Sequence, residues 1–340
     1  MGRRSRPKIE ASRAGLCRPV MVKFGLGGSA MFFQNAYQGK NRWWRWLLTI
    51  SLTLLMFILG HLPLIIFANA EATRLGMSLE QIDALALHPD MDRNLFLLLM
   101  LVPFAVGFVT LRLLISWVHK RSLRSVMTGR PQFDWRRASL GFVVWLLVNG
   151  VATFFVLPAS SYTYQFNPSV FWPLLAIAVL LIPIQTTFEE VFFRGYLAQG
   201  ISLLFKNKLA TFVLVTLMFT FVHVANPEFG ADYSTGFIAY LAISTLLGLV
   251  AVLDDGLEVP CGIHAANNIF AAAIFSTKDG SFKTDSIFTT TMSDLLKFSP
   301  QLDVAICVAA FIILFHLFGW RFSTLFGPTV PMAVNGPSRY

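Results

Sequence analysis

Charged side chains are scarce in this chain of 340 residues. Asp, Glu, Lys and Arg make up 13% of the sequence, and 55% is apolar, whereas a soluble domain carries roughly 25% charged residues. The apolar residues are grouped in runs long enough to cross a bilayer. The sequence therefore predicts a polytopic membrane protein rather than a soluble one.

Cysteine is also rare. Cys17, Cys261 and Cys307 are widely spaced and form no CxxC pair, which excludes a disulfide framework and a thiolate zinc site. The sequence also lacks an HExxH motif, an internal repeat and a low-complexity tract. These absences leave a single bundle of helices as the simplest interpretation.

Eight apolar stretches predict the all-α fold, a polytopic transmembrane helical bundle of about eight spans. They run at about 43–68, 95–118, 140–157, 170–205, 209–224, 235–253, 261–275 and 302–320. The fourth stretch exceeds the ~20 residues that a straight span needs, so we expect a broken or long fourth helix. Pro183 removes a helical hydrogen bond, which favours a kink or a two-piece helix just ahead of Glu189.

The net charge of +9 comes mainly from the N-terminus and from connectors between the apolar stretches. A basic tail, an acidic first loop and a basic connector at 120–137 follow one another, which predicts a cytosolic N-terminus. Positive-inside topology accounts for this charge without nucleic acid as a partner. An eighth span returns the C-terminus to the basic side, and Met21 is an alternative start to Met1.

The stretch from Thr187 to Tyr196 places Glu189, Glu190 and Arg194 inside an apolar run. Ionisable residues are expensive in lipid and usually mark a function there. In a helix, Glu190 and Arg194 lie four residues apart on one face and form a favourable pair. Glu189 lies about 100° further round the helix and is available for another role.

Two further patterns occur in later apolar stretches. Phe219 precedes His223 by four residues, and His264 precedes Asn268 by four. One intramembrane histidine is most simply an interhelical hydrogen bond, but the three patterns together favour catalysis. A carboxylate beside an imidazole can activate water, and a second imidazole with an amide can stabilise an oxyanion.

The motifs EExxxR, FxxxH and HxxxN, in this order, resemble those of the CAAX protease and bacteriocin-processing (CPBP) family, also called the ABI family. The resemblance covers roughly 171–275 and implies proteolysis within the membrane. The family includes the CAAX endopeptidase that removes the last three residues of prenylated proteins. Its bacterial members are linked to bacteriocin maturation or self-immunity, and many of them have no known substrate.

The resemblance also implies roles for the individual residues. Glu189 would be the general base with His223 as its partner, and His264 and Asn268 would stabilise the oxyanion. Glu190, Arg194 and Phe219 would support them. Zinc is the alternative, held by Glu189, His223 and His264 with water in the fourth position. The metal-free site is favoured, because Asn268 is a poor zinc ligand but a good oxyanion donor.

The expected organisation has four parts. They are a basic cytosolic tail at 1–42, N-terminal transmembrane helices at 43–168, a CPBP-type catalytic core at 169–276, and a loop, last helix and C-terminal tail at 277–340. The expected function is an intramembrane endopeptidase for a peptide or lipidated-protein substrate, located in the inner membrane if the source is bacterial. The alternatives are a non-catalytic immunity or scaffold protein of the same family and a proton-coupled transporter.

Two expectations concern the connections between helices. Asp254, Asp255 and Glu258 are expected to form a solvated turn. Simple alternation of the spans makes the fifth and seventh helices run in the same direction, with His223 near the end of one and His264 near the start of the other. The two histidines would then lie at different depths, unless uneven helix boundaries, tilt or a broken fourth helix bring them together.

Overall fold

A computed structural model describes residues 31–78, 85–86, 88–327 and 329. Most of the expected basic tail at 1–42, including the alternative start Met21, lies outside the described residues. Within them, ten longer helices follow one another. They are α1 Trp43–Leu59, α2 Leu62–Leu75, α3 Arg93–Trp117, α4 Trp135–Val156, α5 Pro168–Glu190, α6 Ala198–Phe205, α7 Lys208–Val222, α8 Tyr233–Leu253, α9 Glu258–Ile269 and α10 Gln301–Phe318.

Shorter elements connect these helices. Two segments, Val191–Leu197 and Phe270–Ile274, are π-helical. Short helical turns are Met31–Gln34, Asn35–Tyr37, Arg124–Met127, Ala159–Ser161, Pro227–Ala231, Met292–Leu295 and Phe322–Phe326. The strands are β1 Tyr162–Tyr164, β2 Phe275–Thr277 and β3 Phe288–Thr290.

The prediction of an all-α, multi-pass membrane protein is confirmed. Each of the eight apolar stretches is helical, and in the described part of the chain six helical spans are long and apolar enough to cross a membrane. The remaining two stretches correspond to α7, with 15 residues, and α9, with 12 residues. Both are shorter than the about 20 residues of a straight span, α9 even with the five π-helical residues Phe270–Ile274 that follow it directly.

The fourth helix is long, as expected, but its irregular part lies at a different position from the expected one. Helix α5 continues through Pro173 and Pro183 without ending, and the π-helical segment Val191–Leu197 joins it to α6 in one span of 38 residues. A π-helical segment replaces i→i+4 with i→i+5 hydrogen bonding and occurs frequently at functional sites. The departure from α geometry therefore begins directly after the two glutamates, not before them.

One end of the bundle, here called the basic end, gathers both ends of the described chain with the connector before α4 and the turn between α8 and α9. The sequence predicted a solvated turn at Asp254 and Glu258. Instead, the side chains of these two acids are fully buried there. Arg130 contacts both acids at 3.2 and 3.1 Å, and Arg137 also pairs with Asp254. Trp320 Nε1 donates to Asp254 at 2.9 Å. Burial raises the pKa of Asp254 to about 6, and this cluster holds the ends of four helices together.

A second set of contacts at the basic end fixes α6. The buried amide of Gln199 donates to the carbonyl oxygens of Phe32 and Ser125 at 2.8 and 2.9 Å, and Arg121 donates to Gln199 Oε1. The N-terminal helical turns and the connector before α4 are thereby attached to the continuation of the fourth span. The rotation of α6 about its axis is set by these bonds.

The opposite end, here called the sheet end, carries a small sheet in the order β1-β3-β2. Strand β1 pairs antiparallel with β3, and β2 pairs parallel with β3. Glu228, in the connection that follows α7, accepts hydrogen bonds at 2.8 Å from both the backbone N–H and the hydroxyl of Ser281. The connections after α7 and α9 are therefore joined at this end.

Helices α4 and α9 approach each other very closely. A Cβ atom built on Gly262 would lie 2.0 Å from the carbonyl oxygen of Ala138, and one on Gly141 would lie 2.7 Å from the carbonyl oxygen of Val259. Small residues allow such close backbone approach between membrane helices. Glycine at both positions therefore fixes α9, which carries His264 and Asn268, directly against α4.

We predict that Gly262→Ala destabilises the protein by about 1–3 kcal/mol, the usual cost of overpacking, because the new methyl group would meet backbone atoms of α4. The matched control is Gly150→Ala in α4, where the nearest atom to a new Cβ is 3.8 Å away. That change should be neutral or stabilising by up to about 1 kcal/mol. The measurement is loss of monodisperse elution after heating in detergent, and equal melting of the two variants would contradict the packing argument.

Candidate active site

The sequence-predicted site residues lie on three neighbouring helical segments. Glu189 and Glu190 are the last two residues of α5, and Arg194 lies in the π-helical segment. His223 directly follows α7. His264 and Asn268 lie on α9, and the structure brings these side chains together around the ring of Phe219.

Glu190 is the most deeply buried member of the group. Its Oε1 accepts from Arg194 Nη1 and from His264 Nδ1, each at 2.8 Å, and its side chain is fully buried. Arg194 Nη2 donates to Ser244 on α8 at 3.1 Å, and its guanidinium lies 3.7 Å from the centre of the Phe219 ring. The i,i+4 pair expected from the sequence is thus present, and it joins α5, α8 and α9.

Glu189 has a different environment. Its Oε1 accepts from Gln185 Nε2 at 2.8 Å. Its Oε2 lies 3.5 Å from His264 Nε2 and has no hydrogen-bond partner among the described residues. An amide chain continues from Gln185, because Asn268 Nδ2 donates to Gln185 Oε1 and Asn267 Nδ2 donates to Asn268 Oδ1, both at 3.0 Å. One oxygen of Glu189 is held in place and the other is available.

His223 is fixed by its own helix and by two aromatic rings. Its Nδ1 lies 2.7 Å from the carbonyl oxygen of Phe219, so this nitrogen carries the proton and Nε2 keeps its lone pair. The imidazole lies 4.3 Å from the Phe219 ring and stacks at 5.1 Å on Tyr240. The same Phe219 ring is 6.0 Å from His264, so the aromatic residue of FxxxH separates and positions both imidazoles.

Uneven helix boundaries explain how His223 and His264 come to similar depths. His223 follows the 15 residues of α7, about 22 Å from the start of that helix, whereas His264 is about 9 Å from the start of α9. At the basic end, a Cβ on Gly195 would lie 3.2 Å from the Leu257 side chain. Helix α9 therefore begins at the level of the π-helical segment, and the pair α6–α7 extends beyond it.

The cluster contains one more carboxylate than it has guanidinium groups. Glu190 and Arg194 balance each other, which leaves Glu189 and His264 as one carboxylate and one imidazole in contact. Each nitrogen of His264 lies near one carboxylate, Nδ1 at 2.8 Å from Glu190 Oε1 and Nε2 at 3.5 Å from Glu189 Oε2. His264 therefore links the two glutamates.

Four polar residues in this arrangement were missed by the sequence analysis. Gln185 lies four residues before Glu189, so the same spacing rule that paired Glu190 with Arg194 could have found it. Asn267 adjoins the HxxxN motif. Ser244 and Tyr240 come from α8, where no pattern in the sequence indicates a contact with the site.

The proposed zinc ligands do not form a metal centre in this arrangement. Within the described residues, no group of three His, Cys, Asp or Glu side chains is placed to hold a metal ion, and catalytic zinc takes three protein ligands. Both nitrogens of His264 face carboxylate oxygens instead.

Comparisons with known proteins place this site in a family context. Residues 168–270 match the family described as type II CAAX prenyl endopeptidase Rce1-like, a region that begins with α5 and ends just after α9. The chain is also similar to the uncharacterized protein YyaK of Bacillus subtilis (strain 168). The two are 32% identical over 266 residues, which is 76% of this chain and 87% of that protein.

We predict that Arg194→Met destabilises the protein by about 3–5 kcal/mol, because it leaves the Glu190 carboxylate buried without its cation. The double variant Glu190→Gln/Arg194→Met should recover much of this loss, since it removes both charges. The measurement is the melting temperature in detergent.

The control is the exposed pair Glu71 and Arg74, which lie 2.5 Å apart. Removing it by Glu71→Gln/Arg74→Met should change the stability by less than about 1 kcal/mol. A double variant at 190 and 194 that melts as early as Arg194→Met alone would refute the charge-pair interpretation.

Proposed function

Since the chain belongs to the Rce1-like family of type II CAAX prenyl endopeptidases, we propose that it is an intramembrane endopeptidase that hydrolyses a peptide bond of a membrane-associated substrate. The observation that carries this proposal is the free Oε2 of Glu189, 3.5 Å from His264 Nε2 in a buried cluster. A carboxylate with one oxygen held and one oxygen available is suited to act as a general base.

In the proposed reaction, water lies between Glu189 Oε2 and His223 Nε2. Glu189 takes one proton as the water oxygen bonds to the carbonyl carbon of the substrate, and His223 accepts a hydrogen bond from the second hydrogen. The carbonyl oxygen becomes an oxyanion. When the C–N bond breaks, the proton on Glu189 passes to the leaving nitrogen, and the products are a carboxylic acid and an amine.

Two groups are proposed to stabilise the oxyanion. Asn268 Nδ2 has two N–H donors and uses one of them for Gln185, which leaves the other for the substrate. His264 Nε2 is proposed as the second donor, because it lies 3.5 Å from Glu189 Oε2, beside the proposed position of the water. Such donors typically contribute several kcal/mol to the transition state.

Glu190 and Arg194 are proposed to position this machinery. Glu190 Oε1 fixes His264 through Nδ1 at 2.8 Å, and the Arg194 guanidinium on the Phe219 ring fixes the aromatic residue beside both imidazoles. Glu190 and Arg194 act on the reacting groups only through His264 and Phe219. The catalytic type proposed here is therefore a glutamate-type hydrolase rather than a zinc enzyme.

The proposed orientation places the basic end in the cytosol. The described chain begins and ends there, and Arg130 of the connector before α4 and Arg137 of its first turn lie at this end. His264 lies about 9 Å along α9 from the same end. The scissile bond would therefore lie near the cytosolic face, where a peptide or lipidated protein anchored in the bilayer can reach it.

We predict that purified protein in detergent cleaves a quenched prenylated CAAX peptide, and that Glu189→Gln lowers kcat/KM by at least about 100-fold, the contribution expected of a general base. Glu71→Gln is the matched control, because Glu71 lies on α2 in an exposed ion pair far from the site. Its activity should equal that of the wild type.

The other outcomes distinguish the alternatives. Full activity of Glu189→Gln would exclude this residue as the base. Loss of wild-type activity with a chelator, and recovery with Zn²⁺, would favour the metalloprotease. Folded wild-type protein that cleaves no membrane-anchored peptide would favour the non-catalytic immunity or scaffold role, and proton-coupled uptake into vesicles would favour the transporter.

We predict that Gln185→Met lowers kcat by about 10- to 100-fold with little change in KM, a range typical of a displaced catalytic group. The substitution removes both hydrogen bonds that hold Glu189 and Asn268 in register. Gln301→Met, at the exposed start of α10, is the control. A proportional change in KM, or recovery of kcat on simple stabilisation with lipid, would indicate a structural role only.

A further inference from the structure

A polar cavity lies beside the candidate site, among α4, α8, α9 and α10. It has a volume of about 160 Å³, and its lining includes Asn149, Ala239, Tyr240, Asn267, Asp303 and Cys307. Amide, phenol and carboxylate groups thus meet inside a bundle of apolar helices. Such groups are costly within a membrane unless they have hydrogen-bond partners.

Two of the residues that line this cavity also contact residues of the candidate site. Tyr240 lines the cavity and stacks on the imidazole of His223. Asn267 lines it as well and donates to Asn268, the first bond of the amide chain that ends on Glu189. The cavity is therefore separated from His223 by the Tyr240 ring and is joined to Glu189 through the hydrogen-bonded amides of Asn267, Asn268 and Gln185.

The groups that line the cavity indicate which kind of molecule it can hold. Among the described residues that line the cavity there is one carboxylate, Asp303, and no lysine or arginine, which disfavours an anion. A single carboxylate is too few ligands for a hard cation, and a lipid chain would leave the amides unpaired. A water needs about 10–15 Å³ of such a volume and two to four polar partners, so the cavity suits a small cluster of waters.

The proposed reaction also requires a supply of water. Glu189 and His264 are 8% and 6% exposed, and each cleavage consumes one water. Building on the proposed function, we propose that this cavity is a water chamber that feeds the hydrolytic water to Glu189 and His223. Asp303 lies in the first turn of α10, so the chamber extends towards the sheet end, and water and substrate reach the site from opposite ends of the bundle.

The first test measures hydration without any need for activity. Asn149 lines the chamber and not the adjoining groove, and a cysteine placed there reacts with a thiosulfonate only as a thiolate in contact with water. In the variant Asn149→Cys/Cys307→Ser, 2-aminoethyl methanethiosulfonate should modify the introduced thiol, as located by peptide mass. Ala239→Phe, which fills the chamber, should slow this modification at least tenfold. Val308→Phe, on the adjoining lipid-facing groove, is the control and should leave it unchanged.

The second test measures the supply of water to the reaction. Ala239→Phe should lower kcat about tenfold, or about 1.4 kcal/mol, with KM unchanged, and Val308→Phe should have no effect. Asn149→Leu/Asp303→Leu, which makes the walls apolar, should act in the same way and replaces Ala239→Phe if that variant melts early. An introduced thiol at position 149 that resists the reagent would overturn the hydrated chamber, and an unchanged kcat in a filled chamber would overturn its role as the supply. Because the labelling is independent of turnover, failure of the protease proposal is distinguishable from failure of the chamber.

Discussion

The buried carboxylate of Glu190 needs partners for its charge, and these partners determine how the helices at the centre of this protein pack. Glu190 is fully buried and accepts from Arg194 and from His264, and removing Arg194 would leave its charge without a cation. For these hydrogen bonds to form, α5, the π-helical segment and α9 must be in register. Arg194 also contacts Ser244 of α8 and the Phe219 ring of α7. Four helices are thus positioned by the needs of a single charged group, and the other residues of the site are arranged around it.

Much of this centre could be predicted from the sequence, because it depends on short-range spacing. Helical geometry alone pairs Glu190 with Arg194 and leaves Glu189 on a different face. Apolar runs of span length give the helical bundle, and the family of the chain agrees with the motifs that first indicated it. The catalytic roles of Glu189, His223, His264 and Asn268 stay predictions, although their side chains do lie together.

The features that the sequence did not reveal depend on contacts between distant segments. Ser244 and Tyr240 have no local pattern, and only the packing of α8 brings them to the site. The different depths expected for the two histidines assumed helices of equal length, whereas α9 begins deeper in the bundle than α7. The acids near Asp254 looked like a solvated turn, but Arg130 from another connector and Arg137 from α4 pair with Asp254. Pro183 was expected to kink or divide the fourth helix, and α5 continues through it without ending; membrane helices tolerate proline where the freed backbone groups find other partners.

The π-helical segment Val191–Leu197 has a consequence for how this chain can change in length. Its wider turn holds more residues than the same length of α-helix, and α6 continues from it with Gln199 bonded to Phe32 and Ser125. In a regular part of the span, deleting one residue would rotate everything beyond it by about 100°. Within the π-helical segment, a deletion can instead be absorbed by a return to α geometry, so that Gln199 stays directed towards its partners. Between the EExxxR motif and the basic end, this segment is therefore where the chain can lose one residue with the least rotation of α6.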